Sequence, residues 1–147
     1  MIIIDVGLNV GGAMSDMTRT VVLGKATDEQ REVYEIVKAA NAAGRAAVAP
    51  GVPLKEIDRA ARDVITKAGY GERFIHRTGH GIGMEVHELP DVSSVSEVIA
   101  RPGMIFSVEP GIYLPGKFGV RIEDLVLVTE DGCETLNQLP KELIELS

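Results

Sequence analysis

"IIIDVGLNVGGAMSDMTRTVVL", residues 2–23, reads as two β-strands folded against each other across a glycine turn. The run opens on β-branched residues, breaks at "VGG" and resumes as the alternating "MTRTVVL", the pattern of a β-hairpin. Asp5 interrupts an apolar arm, where an ionised carboxylate is costly to desolvate unless something compensates it. With Val10 and Gly11 at the tip, Asp16 falls opposite Asp5, and directly opposed side chains lie about 4.5–5.5 Å apart at Cβ. Two like charges at that spacing point to a cation between them. The competing reading pairs Asp16 with Arg19, or uses it to cap a turn, and leaves Asp5 exposed at an edge.

Two helices follow. Thr27 and Gln30 form a capping box ahead of Val33, Ile36, Val37 and Ala40 at helical spacing, and this helix ends before the "PG" at 50 and 51. A second begins after Pro53, carries Leu54, Ile57, Ala61, Val64, Ile65 and Ala68 on one side, and is capped by Gly69. Beyond it "GIGMEVHE", "MIFSVEPGIY" and "VRIEDLVLVTEDG" are strand-like, while residues 91–97, "DVSSVSE", read as a polar surface loop.

Two further carboxylates sit in these apolar runs. Glu109 and Glu123 are each flanked by residues that belong in a buried strand, and Arg121, two positions before Glu123 and so on the same face, is placed to orient it. A single strand acid is more simply half exposed, but four of them need a shared explanation. The stretch "GHGIGMEVHE", residues 79–88, holds two of the chain's three histidines. Glycines on either side of His80 remove side chains that would block a metal or substrate, which makes His80 a candidate ligand. The competing reading is a hydrogen-bonded core histidine. His87, seven residues on, reaches the same site only if the glycines bend or bulge the strand, because an odd offset otherwise reverses the face.

Composition narrows the classes. The 147 residues suit one domain, 45% hydrophobic and 25% charged residues describe an ordinary folded protein, and 22 acidic against 15 basic residues argue against nucleic acid. The early apolar run "MIII" is far short of the roughly 20 residues that span a bilayer. A lone Cys133 forms no internal disulfide, which fits a reducing, cytoplasmic setting.

The ordered motifs "IDVG", "SDMTRT", "HRTGHGIGMEVHE", "SVEPGIY" and "GVRIEDLVLV" resemble the pita-bread metallopeptidases, most closely the Xaa-Pro aminopeptidase and prolidase (Xaa-Pro dipeptidase) branch. The resemblance implies an α+β, creatinase/aminopeptidase-like pita-bread fold, here incomplete, with a β-hairpin, two helices and then a curved antiparallel sheet. Residues 1–147 are then expected to be a single C-terminal portion of the catalytic domain. Carried over by position, it implies two divalent metal ions, with Asp5 on one, Asp16 and Glu123 bridging both, and His80 with Glu109 on the other. His87 is implied beside the scissile peptide, Glu109 as the proton shuttle, and His76 close to the site. Four carboxylates match the charge of two divalent ions. Manganese or cobalt is expected, with zinc or iron as alternatives.

The implied reaction is hydrolysis of the bond between an N-terminal residue and proline in proline-containing peptides, with a water held between the ions as nucleophile. The alternatives are an inactive fragment or a non-catalytic pita-bread module that binds protein partners. Bare sheet edge and apolar surface further predict a homo-oligomer.

Overall fold

The computed structural model describes residues 1–147. Strands β1 (Ile2–Val10) and β2 (Ala13–Leu23) form the expected hairpin, but its register corrects the sequence reading. The two-residue turn is Gly11–Gly12, both at positive φ (62° and 92°), so Val10 pairs with Ala13, Asp5 faces Thr18 and Gly7 faces Asp16. The physical reason is that a tight hairpin turn needs positive φ at both central residues, which two glycines adopt freely and Val10 does not. The slip is by two, so the face is preserved: Asp5, Asp16 and Thr18 still point the same way.

Helix α1 (Asp28–Ala46) opens on the predicted capping box, with the Gln30 N–H donating to Thr27 Oγ1 (3.2 Å) and the Thr27 N–H to Gln30 Oε1 (2.9 Å). Helix α2 (Leu54–Lys67) runs beside it and ends as expected at Gly69, where the Gly69 N–H donates to Thr66 O and the Tyr70 N–H to Ile65 O. Val33, Tyr34, Val37 and Ala40 of α1 bury against Ile65 of α2 and Ile112, Val120 and Ile122. A second core joins Leu54 and Ile57 of α2 to Phe106, Val108 and Val126. Burial of each Val, Leu, Ile or Phe side chain among them contributes about 1.5–3 kcal/mol, and together the two cores fix the helices across the backs of the strands.

The remaining strands are β3 (Gly79–Gly81), β4 (Glu88–Val92), β5 (Ile105–Val108), β6 (Gly111–Leu114), β7 (Phe118–Arg121), β8 (Asp124–Val128), β9 (Cys133–Thr135) and β10 (Ile144–Leu146). Five of them form an antiparallel sheet in the order β4-β3-β5-β8-β9, β6 and β7 form a hairpin, and β10 adds to β2 in parallel.

Three local readings change. "GIGMEVHE" is not one strand, since residues 82–87 are irregular between β3 and β4. Glu109 and Glu123 lie in the breaks between β5 and β6 and between β7 and β8 rather than within strands. The loop expected over residues 91–97 begins inside β4, with Val92 buried in the second core.

Candidate metal centre

Four elements deliver acceptors to one point. Asp16 from β2 and His80 from β3 are buried, as is Glu123 ahead of β8. Atoms Asp16 Oδ2, Glu109 Oε1 and Glu123 Oε1 lie 3.7, 3.3 and 4.0 Å from His80 Nε2. One ligand atom each from Asp16, His80 and Glu123 falls within 4.8 Å of the others. Asp5 stands aside from that trio: its Oδ2 accepts from Arg121 Nη2 at 2.5 Å. Its charge is nevertheless close enough to raise the pKa of Asp16, after burial.

The tautomer of His80 sharpens the picture. Its Nδ1 lies 3.0 Å from Gly81 O, and a carbonyl only accepts, so Nδ1 carries a proton and Nε2 is the ring atom turned toward the carboxylates. Glu123 Oε1 is buried with no hydrogen-bond partner. A convergence of acceptors around an orphaned carboxylate oxygen is costly unless a cation neutralises it, and oxygen donors with one imidazole form a donor set that suits a divalent ion.

Acidity follows the same logic. Burial pushes Glu109 up to about 7, with the Asp16 charge adding and Ser107 and Arg121 opposing. Burial pushes Glu123 up to about 8, assisted by the charge of Glu109 and opposed by the Thr18 hydrogen bond. Without a cation both acids hold their protons to higher pH than a free glutamate does.

Backbone geometry places the histidines. A Cβ on Gly79 would lie 1.8 Å from Ser107 O, so β3 approaches β5 only because residue 79 is glycine. The register then shifts between His80 and Gly81, and the irregular residues 82–87 bring the His87 ring to 4.2 Å from that of His80, centroid to centroid. The bend that the sequence required for His87 is present.

A ring of hydrogen bonds surrounds the acceptors. Ser107 Oγ accepts from the His80 N–H (3.0 Å) and donates to Glu109 Oε1 (3.1 Å). Thr18 Oγ1 donates to Glu123 Oε2 at 2.6 Å. Arg121 donates through Nε to Thr18 Oγ1 (3.2 Å) and through Nη1 to the Tyr113 hydroxyl (3.2 Å), so it meets Glu123 through Thr18 rather than directly as the sequence reading had it. His76 donates through Nδ1 to Arg77 O (2.7 Å), and burial lowers its pKa, so Nε2 accepts from the Tyr113 hydroxyl at 2.9 Å.

Tyr113, read from sequence as packing, is therefore a link between His76 and Arg121. Thr18 was missed because the wrong hairpin register hid its place opposite Asp5. Nor does Arg19 pair with Asp16, since its Nη2 donates to Asp124 Oδ1 at 2.7 Å. A pocket of about 430 Å³, lined by His76, Arg77, His80, His87, Glu109 and Arg121, opens over the cluster with no hydrophobic lining residue.

A pita-bread fold with an acid-rich cluster and one imidazole defines a metallopeptidase class, and residues 1–130 match the model of Metallopeptidase family M24. The chain belongs to this family. It is 49% identical over 143 residues to an Xaa-Pro dipeptidase of Lactobacillus helveticus, covering 97% of this chain and 39% of that protein. Among solved structures it resembles a recombinant prolidase from Thermococcus sibiricus (50% identity, TM-score 0.96, 98% of this chain and 39% of that one). It also resembles an X-Pro aminopeptidase from Thermotoga maritima MSB8 (43% identity, TM-score 0.95, 98% and 41%). The chain spans about two fifths of the length of the relatives it matches. No helix is long and apolar enough to cross a membrane.

Proposed function

We propose that this chain carries the metal centre of a peptidase that cleaves the bond between an N-terminal residue and a following proline. The observation that carries the reading is the convergence of Asp16, Glu109 and Glu123 on His80 Nε2, with Glu123 Oε1 buried and unpartnered. The proline preference rests on the relatives, two of which are described as an Xaa-Pro dipeptidase and an X-Pro aminopeptidase.

Asp5 would hold one divalent ion, Asp16 and Glu123 would bridge two, and His80 and Glu109 would hold the second, with manganese or cobalt as the ions. When bound, such ions supply Lewis acidity to the peptide carbonyl and lower the pKa of a nearby water. Glu109 takes the proton of the attacking water at Oε2, the oxygen that Ser107 leaves free, and returns it to the prolyl nitrogen. His87, on the pocket wall beside His80, orients the scissile carbonyl and donates a ring N–H to its oxygen as charge develops. Arg121 holds Asp5, and His76 holds Tyr113 against Arg121.

In this proposal the chain supplies the ligand-bearing, C-terminal portion of the catalytic domain, acts on proline-containing peptides in the cytoplasm, and self-associates through its exposed hairpin. The exposed apolar face of that hairpin favours a second reading, a non-catalytic protein-binding module.

Incubation of the manganese-loaded chain with Xaa-Pro dipeptides and tripeptides, with release of the N-terminal residue as readout, tests the reaction. The wild type is expected to cleave Xaa-Pro in preference to Xaa-Ala, and His87→Ala to lower kcat about a hundredfold, as the loss of one oxyanion donor does. A metal-loaded chain that cleaves neither, or both equally, contradicts the assignment.

A further inference from the structure

Arg19 lies outside the pocket, yet its guanidinium is buried behind the centre. Nη1 donates to two carbonyls, Thr18 O (2.9 Å) and Glu123 O (2.6 Å). Nη2 donates to Asp124 Oδ1 (2.7 Å) and Leu139 O (3.0 Å), and Nε donates to Pro140 O (3.2 Å). The Glu123 N–H also donates to Thr18 O at 3.0 Å, so one nitrogen of Arg19 and one backbone bond tie residues 18 and 123 together. We propose that Arg19, acting through Thr18, is the positioning residue that fixes the orientation of the Glu123 carboxylate at the metal centre, an inference that rests on the metal-centre reading above.

The geometry gives the reason. Because the two backbones are clamped, Thr18 Oγ1 reaches Glu123 Oε2 at 2.6 Å, and that bond leaves Oε1 facing His80. The last torsion of a glutamate is broad and nearly two-fold, so without the hydroxyl the carboxylate has no fixed rotation. Charge balance alone does not account for Arg19. Asp124 also has Lys141 Nζ at 3.2 Å and Arg45 Nε at 3.5 Å, so the distinct contribution of Arg19 is its planar fork, which holds several acceptors at once.

The test uses the full chain with Arg19→Lys, which keeps the positive charge beside Asp124 but loses the fork, and Thr18→Val, which removes the hydroxyl that Glu123 shares with Arg121. Manganese affinity is read by calorimetry, coordination by the visible spectrum of the cobalt-loaded chain, and folding by circular dichroism without metal. Both folded variants are expected to bind manganese about tenfold to a hundredfold more weakly than wild type with an altered cobalt spectrum, as loss of a ligand's outer partner does. The double variant should lose less than the two single losses combined, because both act on one carboxylate. Wild-type affinity and spectrum in Arg19→Lys overturn the proposal, and should that variant fail to fold, the same result in Thr18→Val overturns it. A wild-type chain that binds no manganese overturns the metal-centre reading itself, and this inference with it.

Discussion

Residues whose chemistry is wrong for their surroundings define the centre. Glu109 and Glu123 are carboxylic acids pushed by burial to about 7 and about 8, from 4.5. Because the folded values lie above the unfolded one, the metal-free fold holds more protons than the unfolded chain between those limits. The stability tied to these groups is therefore complete below pH 4.5 and is lost as pH rises toward 8. Thermal melts of the metal-free chain should show a midpoint that falls from pH 5 to pH 8, and Glu123→Gln should flatten the decline. A wild-type midpoint that stays level over that range would contradict the burial account. Asp5, Glu109 and Glu123 stood out in the sequence as carboxylates in apolar runs, Asp16 by its place across the hairpin from Asp5, and His80 by the glycines on either side of it. Thr18, Ser107 and Tyr113 did not, because hydroxyls are ordinary in strands and only their partners reveal their use.

At the scale of elements, turns and close approaches decide where those residues go. The helices were legible because capping and periodicity are local signals: Thr27 with Gln30 marked the start of α1, and Gly69 marked the end of α2. The hairpin was legible as a hairpin but not in register, since moving the tip from Val10–Gly11 to Gly11–Gly12 shifts every partner by two. Breaks at Glu109 and Glu123 were hidden because apolar residues continue on both sides, and "EPGI" and "RIED" read as uninterrupted strands. The approach of β3 to β5 at Gly79 is a long-range fact that no local pattern carries. Gly79→Ala would force Cβ into Ser107 O and should cost about 3 kcal/mol or more, beyond ordinary overpacking because the obstacle is backbone. Urea unfolding measures this, and a loss below about 1 kcal/mol would mean that the two strands separate freely.

The molecule as a whole leaves one face of its hairpin in solvent. Ile2, Ile4, Val6, Leu8 and Val10 of β1 are 43–75% exposed, although the run is apolar and opens on β-branched residues, and β1 is the edge of its sheet. The face is the one opposite Asp5, and it continues into a groove of about 260 Å³ that includes Ile4, Val6, Met17, Tyr34 and Ile144. An unpaired edge with an apolar face seeks a partner, so the chain should associate as its concentration rises, and Leu8→Lys should reduce that association by placing a charge on the edge. Light scattering of a monodisperse monomer at high concentration would contradict this. Patterning marked β1 as apolar, and the expectation of a bare edge came from the family resemblance, because coverage depends on what packs against a strand and not on the strand itself. Manganese titration of the metal-free chain by calorimetry, beside Asp16→Ala and Glu123→Ala, probes the metal centre itself. About two ions are expected to bind each wild-type chain, and both variants are expected to lose binding. A folded wild type that takes up no manganese, or variants that bind it unchanged, would contradict the metal-centre reading.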